Sequence, residues 1–393
     1  MPFFIKEINE NFAKESIHEV GFDPSYINQV LGKYNFKLLK IFDLTPQQAS
    51  ILKQTALSVG ADCAVHREVI TCKVEKTDVV LGGSYEQIKK IAQKLKQQPF
   101  SLSKLADYLL LSLENQLEPI ILRGKPLDWS KTYLMGILNI TPDSFSDGGE
   151  YLALDDAIYR ARELALYSDI LDIGGESTRP NSVQVDIEEE IKRVCPAIMS
   201  IRESGIEIPI SIDTRNAKTA KQAMLAGADI VNDVSGGFWD NEMLDVVSEF
   251  QAPFVLMHSI KTPEDMQEKP HYERLVDEIY LDLSAKIENA ILRGVSKEKI
   301  IIDIGIGFGK NLEHNLELLK RISEFKSLGC PLLVGVSRKS FMSEIVSLDF
   351  DEKDVATLAI NSYLASQGVN ILRVHNPKLH KKSLVIADRI FSL

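Results

Sequence analysis

The side chains capable of chemistry recur at one kind of place, just where a short apolar run gives way to a polar loop. Asn139 lies near the end of the run Tyr133–Ile140, and Thr141-Pro142-Asp143-Ser144-Phe145-Ser146-Asp147 and two glycines follow it. Asp172 lies in a second such run, ahead of Gly174-Gly175-Glu176-Ser177-Thr178-Arg179-Pro180. Asp213, Asn232 with Asp233, His258, Asp303, Ser337, and Arg373 with His375 end the later runs. Asp213, Asn232 and Asp303 together suit a flat heterocycle with an amino-pyrimidinone edge. Carboxylates accept from a ring N–H and an exocyclic amine, and an amide both donates and accepts. A site built this way rejects analogues that lack the partner groups, because its own polar atoms would be left unpaired. Simpler readings exist for single residues. Turn chemistry explains Pro142 and the glycines, and helix capping explains a lone Asp after a strand, better for Asp233 than for Asp213 or Asp303. Turn chemistry does not explain Phe145 in a polar loop.

Three further stretches carry weaker signals. Asp303-Ile304-Gly305-Ile306-Gly307-Phe308-Gly309-Lys310 lacks the spacing of a phosphate-binding loop; its glycines suit a ring lying close to the backbone, with Phe308 as an apolar wall. Ser337-Arg338-Lys339-Ser340 places two cations at a helix start, where anions or carbonyl oxygens can be held. Arg373 and His375 stand two apart on a strand and so point to one side; with Asn139 they could form an anion pocket. No Ser–His or Cys–His nucleophile pair and no His/Cys metal set can be argued from the sequence.

These residues need a scaffold that brings successive strand ends together. From about Tyr133 onward, apolar runs alternate with amphipathic stretches such as Asp155–Tyr167, Ile187–Arg202, Ala217–Ala226 and Tyr272–Leu292. Continuous apolar strands separated by amphipathic helices predict a parallel sheet covered by helices. Eight such units predict a (β/α)8 TIM barrel, whose strand ends converge on one face. A doubly wound open sheet is the alternative, but the glycine-rich phosphate turn expected after its first strand is absent. Ahead of the barrel, residues 1–125 read as a small α/β accessory domain, with residues 126–393 as the catalytic barrel. Strands are expected at Phe36–Phe42, Val65–Val74 and Asp78–Leu81, and helices at Pro46–Ser58 (with Thr45 as N-cap) and Tyr85–Gln97. Arg123 to Trp129 reads as the linker.

The formal net charge of −11 argues against nucleic acid as a partner. The four scattered cysteines fit a reducing compartment and free thiols. No signal peptide and no membrane-length apolar run is recognised, so a cytoplasmic protein is expected.

Taken together, the first loop motif, DIGGESTRP, SRKS and RVH resemble the dihydropteroate synthase family, from Tyr133 to the C-terminus. The resemblance implies condensation of 6-hydroxymethyl-7,8-dihydropterin pyrophosphate with p-aminobenzoate, with Mg2+, in a homodimer. It implies that Asn139 helps hold metal and pyrophosphate, and that Asp213, Asn232, Met257, Asp303, Phe308 and Lys339 bind the pterin. Arg373 would pack on the pterin and, with His375, take the diphosphate. Phe145, Thr178, Arg179, Pro180 and Ser337 would form the p-aminobenzoate side, and Asp143 would stabilise the developing cation and order its loop. No enzymic nucleophile is needed for that chemistry. The sequence departs from the family at Ile304 and Ile306, usually Pro and Phe, at Ser259–Pro263, where a glycine is missing, and at Asn376, usually Asp. Two other readings compete: a pterin-dependent methyltransferase, which should lack SRKS and the p-aminobenzoate loop, and a pterin-binding paralogue without catalysis, which should have lost Asn139, Lys339 or His375.

Overall fold

The computed structural model describes residues 4–114, 117–140, 149–176, 185–259 and 270–391, with only the backbone of 149–153. The chain divides into two compact units, Met1–Asn115 and Gln116–Ser392.

The first unit holds an antiparallel sheet of β1 (Phe36–Leu44), β2 (Asp62–Ala64) and β3 (Thr77–Ser84), in the order β1-β3-β2. Helices α1 (Pro46–Leu57), α2 (Tyr85–Leu95) and α3 (Leu102–Leu113) accompany it. Thr45 and Gln48 form a reciprocal capping box at α1, with Pro46 in its first turn, and Ser84 and Gln87 form another at α2. Leu52, Leu81, Ile88, Ile91, Leu95 and Ala106 are fully buried between helices and sheet. The strand expected at Val65–Val74 does not form. Polar His66-Arg67-Glu68 interrupts its apolar run, and the segment turns, with Cys72 at a φ of 52°. The pairing falls instead on Asp62–Ala64. Helix α3 was not anticipated, although Leu102, Ala106 and Leu109 are its buried stripe.

The second unit is the expected barrel. Its strands are β6 (Tyr133–Asn139), β7 (Ile170–Gly174), β8 (Ile210–Asp213), β9 (Ile230–Asp233), β10 (Phe254–Met257), β11 (Ile300–Asp303), β12 (Leu332–Val334) and β13 (Ile371–Val374). They close in chain order, β13 pairing with β6, and every pairing is parallel. Helices α4 (Gly149–Ala165), α5 (Ile187–Glu203), α6 (Ala217–Ala226), α7 (Met243–Phe250), α8 (Leu275–Leu292), α9 (Leu312–Lys320), α10 (Phe341–Ile345), α11 (Phe350–Ser366) and α12 (Pro377–Phe391) lie between and after them.

The two-residue period of a strand sorts its side chains into two sets. One set packs under the helices: Leu171, Ile173, Val231, Leu256, Ile302, Leu332 and Leu372 lie in one cluster with Ile198, Ile279 and Leu318. The other set faces the barrel interior. There Met135, Ile170, Ile230, Val255, Ile301, Leu333 and Ile371 form an apolar floor. Two residues on along the same strands come Asp172, Asn232, Met257, Asp303 and Arg373. The floor is sealed by a hairpin, β4 (Ile120–Leu122) and β5 (Lys125–Leu127), whose Ile120, Leu122 and Leu127 join the floor cluster. Arg123 to Trp129, expected as a linker, is therefore part of the barrel unit. Arg123 sits in the turn at a φ of 49° and pairs with Glu207 at 2.7 Å and Asp229 at 3.4 Å.

Candidate active site

Above the apolar floor the interior positions turn ionic. Arg373 donates from Nε to Asp172 Oδ2 and from NH2 to Asp213 Oδ2, each at 2.6 Å. Asn232 Nδ2 lies 3.3 Å from both oxygens of Asp172. Asp172 is fully buried and Asp213 nearly so. One guanidinium between two carboxylates gives a charge-assisted fork of fixed geometry. Burial pushes Asp213 up to about 7; Arg373 pulls it down while Asp172 and Glu190 add to the rise. Burial works against the Arg373 charge, but Asp172 and Asp213 more than offset it and raise its pKa. Asp213 Oδ1 is buried and has no hydrogen-bond partner, an acceptor that a ligand N–H would satisfy.

The other side of the interior is built by the glycine-rich segment after β11. Asp303 Oδ1 accepts from the Gly305 N–H at 2.8 Å. Gly305, at a φ of 67°, passes the end of β10 so closely that a Cβ there would sit 2.1 Å from the His258 carbonyl oxygen. At Gly307, with a φ of 78°, a Cβ would sit 2.9 Å from Lys339 Cδ, so only glycine lets that lysine reach inward. Lys339 Nζ donates to the Ile306 carbonyl and lies 4.4 Å from the centre of the Phe308 ring. Burial lowers Lys339 to about 8, against the pull of Asp303. Burial raises Asp303, with Lys339 opposing. Met257 is buried and pairs in register with Asp303. The side chains of Asp172, Asp213, Asn232, Asp303, Lys339 and Arg373 thus present a row of acceptors and donors, with Phe308 half-buried beside them.

Ser337, Arg338 and Lys339 are consecutive, yet they act in different directions. Ser337 Oγ accepts from the His375 N–H at 3.2 Å and stands 2.9 Å from His375 Nδ1, joining the ends of β12 and β13. Arg338, at a φ of 58°, forms a double bond pattern with Asp354 of α11 at 2.7 and 2.8 Å and lies 4.1 Å from the Phe350 ring centre. Of the two cations expected to hold anions there, Arg338 is thus engaged by α11 and Lys339 faces the interior. A carboxylate thus reaches this corner from α11, and Asn376 donates to it at 3.1 Å. Ile304 and Ile306 are buried in the cluster beneath the helices, so these departures are core residues.

Asn139 ends β6, exposed, in register with Gly174; its Oδ1 lies 3.8 Å from the position of a Cβ on that glycine. Among the described residues no group of three or more His, Cys, Asp or Glu side chains could hold a metal ion. The expected positions Asp143, Phe145, Thr178, Arg179 and Pro180, and residues 260–263 of the departing loop, lie outside the described residues.

Two site roles are not visible in the sequence. Asp172 is a strand end there, but its task as counter-ion of Arg373 appears only when β7 and β13 are brought together. Lys310 is buried and places Nζ 3.0 Å from His258 Nδ1 and 2.9 Å from the Phe308 carbonyl. Burial lowers Lys310 to about 7, and burial together with Lys310 and Lys286 holds His258 well below its ordinary value. That pair ties the glycine-rich segment to the end of β10. The lysine ending a run of glycines was the available signal.

The profile of a family described as pterin binding enzymes matches residues 135–375. A dihydropteroate synthase of Synechocystis is 42% identical over 294 residues, 74% of this chain and 99% of the relative. A probable bifunctional folylpolyglutamate synthase/dihydropteroate synthase of Halobacterium salinarum is 40% identical over 377 residues. That match covers 96% of this chain, which spans 45% of the relative's length. The solved dihydropteroate synthase of Xanthomonas albilineans in complex with 7,8-dihydropteroate superposes with a TM-score of 0.62 at 33% identity, covering 70% of this chain and all of that one.

Proposed function

The chain belongs to the family of pterin binding enzymes and carries the barrel of dihydropteroate synthases, and on that premise we propose that it condenses 6-hydroxymethyl-7,8-dihydropterin pyrophosphate with p-aminobenzoate. The observation that carries the reading is the buried row of Asp213, Asn232 and Asp303 with half-buried Lys339 beside it, the Asp213 Oδ1 acceptor being unpartnered. Asp213, Asn232 and Asp303 supply acceptors and an amide to the pterin edge, and Lys339 donates to a ring acceptor. Met257 and Phe308 bound the ring. The retention of SRKS disfavours a methyltransferase, and the presence of Asn139, Lys339 and His375 disfavours a non-catalytic paralogue.

In the proposed reaction the C–O bond at the pterin methylene breaks and its electron pair leaves with diphosphate. The cation is stabilised by the pterin ring and by Asp143. The p-aminobenzoate nitrogen attacks that carbon, and the proton it sheds goes to solvent. Arg373 and His375 meet the charge of the departing diphosphate. Ser337, bonded to His375, stands with Phe145, Thr178, Arg179 and Pro180 on the arylamine side. Mg2+ belongs to the proposal. The exposed amide oxygen of Asn139 at a strand end suits an ion that takes one or two protein oxygens and completes its shell with phosphate and water. When bound it would neutralise diphosphate charge. Diphosphate release dependent on p-aminobenzoate, with dihydropteroate as product, tests the reading; tight pterin binding without product would overturn it.

A homodimer is proposed through α11 and α12, which expose Val355 and Tyr363, and Val385, Ile386 and Ile390. Cytoplasmic location is proposed on the free cysteines Cys63, Cys72, Cys195 and Cys330. No described helix is long and apolar enough to cross a membrane.

For the first unit, Met1–Asn115, we propose an accessory role beside a glutamate-adding ligase. Support comes from coverage: the bifunctional Halobacterium relative matches nearly the whole chain, whereas the Synechocystis synthase is too short to hold both units. The outer face of the sheet, with Phe36, Leu38 and Val80 exposed, is the candidate contact. Titration of this chain with a purified folylpolyglutamate synthase should show saturable binding that Leu38→Asp abolishes; no binding would overturn it.

A further inference from the structure

The segment after β11 that carries Phe308 has Gly305, Gly307 and Gly309 at positive φ, so its own backbone does little to fix it. Its neighbours do. The Gly307 N–H donates to Asn315 Oδ1 of α9 at 2.7 Å, and the Tyr272 hydroxyl donates to the Gly309 carbonyl at 3.2 Å. Asn315 Nδ2 in turn donates to the Asn311 carbonyl at 2.8 Å. These bonds tie the segment to α9 and to the stretch before α8.

Lys310 makes the link to the barrel. It is 2% exposed, so water does not compete for its amine. Its Nζ donates to the Phe308 carbonyl at 2.9 Å and stands 3.0 Å from His258 Nδ1. His258 follows Met257, the last residue of β10, and its N–H donates to the Asp303 carbonyl at 2.9 Å. One amine therefore spans Phe308 on the segment and His258 at the strand end. Gly305 leaves it room, since a Cβ there would sit 3.3 Å from Nζ. Lys286 of α8 braces the preceding residue: its Nζ donates to the Met257 carbonyl at 3.2 Å and pairs with Asp282 at 3.1 Å. A buried ion adds little to stability after desolvation. What Lys310 adds is a fixed separation between Phe308 and the end of β10. Lys339 Nζ lies 4.4 Å from the centre of the Phe308 ring, so a displaced Phe308 disturbs that cation too.

We propose that Lys310 is a positioning residue for the pterin substrate. By bridging His258 and Phe308 it fixes the Phe308 ring relative to Met257 and Asp303, which meet the pterin from β10 and β11. The proposal rests on the synthase reading. Lys310→Met keeps an unbranched chain of similar reach but has no donor, so it removes the bridge without opening a large cavity. His258→Leu removes the bond to Nζ from the other end, and His258→Asn returns an acceptor to the place of Nδ1. Small displacements of substrate-positioning residues weaken productive binding strongly.

The test titrates pterin diphosphate in the presence of Mg2+ and measures the KM for p-aminobenzoate at saturating pterin diphosphate. It compares wild type, Lys310→Met, His258→Leu and His258→Asn, each below its thermal transition. The dissociation constant of pterin diphosphate should rise on the order of tenfold in Lys310→Met and His258→Leu, with the KM for p-aminobenzoate within about twofold of wild type. His258→Asn should recover most of the loss. An unchanged pterin affinity in Lys310→Met would overturn the proposal and leave the lysine a part of the fold alone. Equal losses for both substrates, or a His258→Asn no better than His258→Leu, would overturn it as well. Should Lys310→Met not fold, the two His258 variants decide alone. A wild type that binds pterin diphosphate but forms no dihydropteroate would refute the synthase reading, and the pterin affinities of the variants would still judge Lys310.

Discussion

The two ends of the barrel interior are built from the same strands, two residues apart, and they are opposites. At the floor Ile170, Ile230, Val255, Ile301 and Ile371 pack on each other and on the hairpin residues Ile120, Leu122 and Leu127. One step up, Asp172, Asn232, Asp303 and Arg373 replace them, polar or ionic, the first three buried and Arg373 half-buried. Apolar burial stabilises in proportion to area and tolerates similar shapes. Buried ions stabilise little after desolvation, and removing one partner strands the other. The difference separates the two tasks: the floor holds the barrel closed, and the mouth holds groups in protonation states and positions that water would not allow.

The sharpest way to break this comparison is to remove a mouth charge that ligand binding uses but the fold does not need. Lys339→Met should lower dihydropteroate formation on the order of 10²- to 10³-fold, while the thermal midpoint holds or rises because a half-buried cation is gone. Activity near wild type would deny Lys339 its place at the pterin. Next comes a charge that both fold and site need. Asp172→Ala strips Arg373 of one carboxylate and Asn232 of its acceptor. It should cost about 3 kcal/mol in urea unfolding and about 10²-fold in activity. A loss in only one of the two measurements would show that the Asp172–Arg373 pair serves that one alone.

A floor substitution should do the reverse. Leu122→Ala opens a cavity under the barrel and should cost about 2–4 kcal/mol, with the KM for each substrate unchanged at a temperature where the variant is folded. A shift in either KM would mean that floor and mouth are coupled.

How much of this was legible follows the same division. Strand ends announce themselves by position: Asp213, Asn232, Asp303 and Arg373 each follow an apolar run, and the period of two places them inside. Eight such runs gave the barrel. What stayed hidden depends on which ends meet. Asp172 is one more acid at a strand end until β7 and β13 face each other across the interior. Arg338 and Lys339 are adjacent in sequence, and only the positive φ of Arg338 turns it toward Asp354. The hairpin read as a linker because its strands are three residues each and their partner surface is contributed by seven distant strands. Val65–Val74 misled because a run rich in Val, Ile and Cys was given more weight than the charges within it.

The mouth also responds to pH where the floor cannot. Burial brings Lys339 down to about 8. Its ammonium is therefore present below that value and is lost as pH rises through it. Pterin affinity, measured calorimetrically, should fall through about pH 8, by up to about tenfold per pH unit. Lys339→Arg should keep its charge across that range and remove the fall, whatever its absolute affinity. A wild-type affinity flat from pH 7 to 9 would show that the charge of Lys339 does not contribute to binding.

The smallest expected effect lies at the rim, where one position departs from the family. Asn376 donates to Asp354 Oδ2, and Arg338 holds both oxygens of that carboxylate. Burial raises Asp354, but Arg338 and Asn376 together bring it below its ordinary value. An aspartate at 376 would replace the donor with a second carboxylate against a single arginine. The new group would hold its proton more tightly when folded than when unfolded, because its neighbour is an anion. Asn376→Asp should then be less stable by about 1 kcal/mol near pH 7. As pH falls the added carboxylate protonates in the folded state and can donate to Asp354 again, so the deficit shrinks. Because about 1 kcal/mol corresponds to a rise of roughly 0.7 pH unit above an ordinary Asp value of about 3.9, thermal midpoints of both proteins from about pH 3.5 to 7 would show the gap closing below about pH 5. A gap constant across that range would mean that position 376 acts through packing and not through its charge beside Asp354.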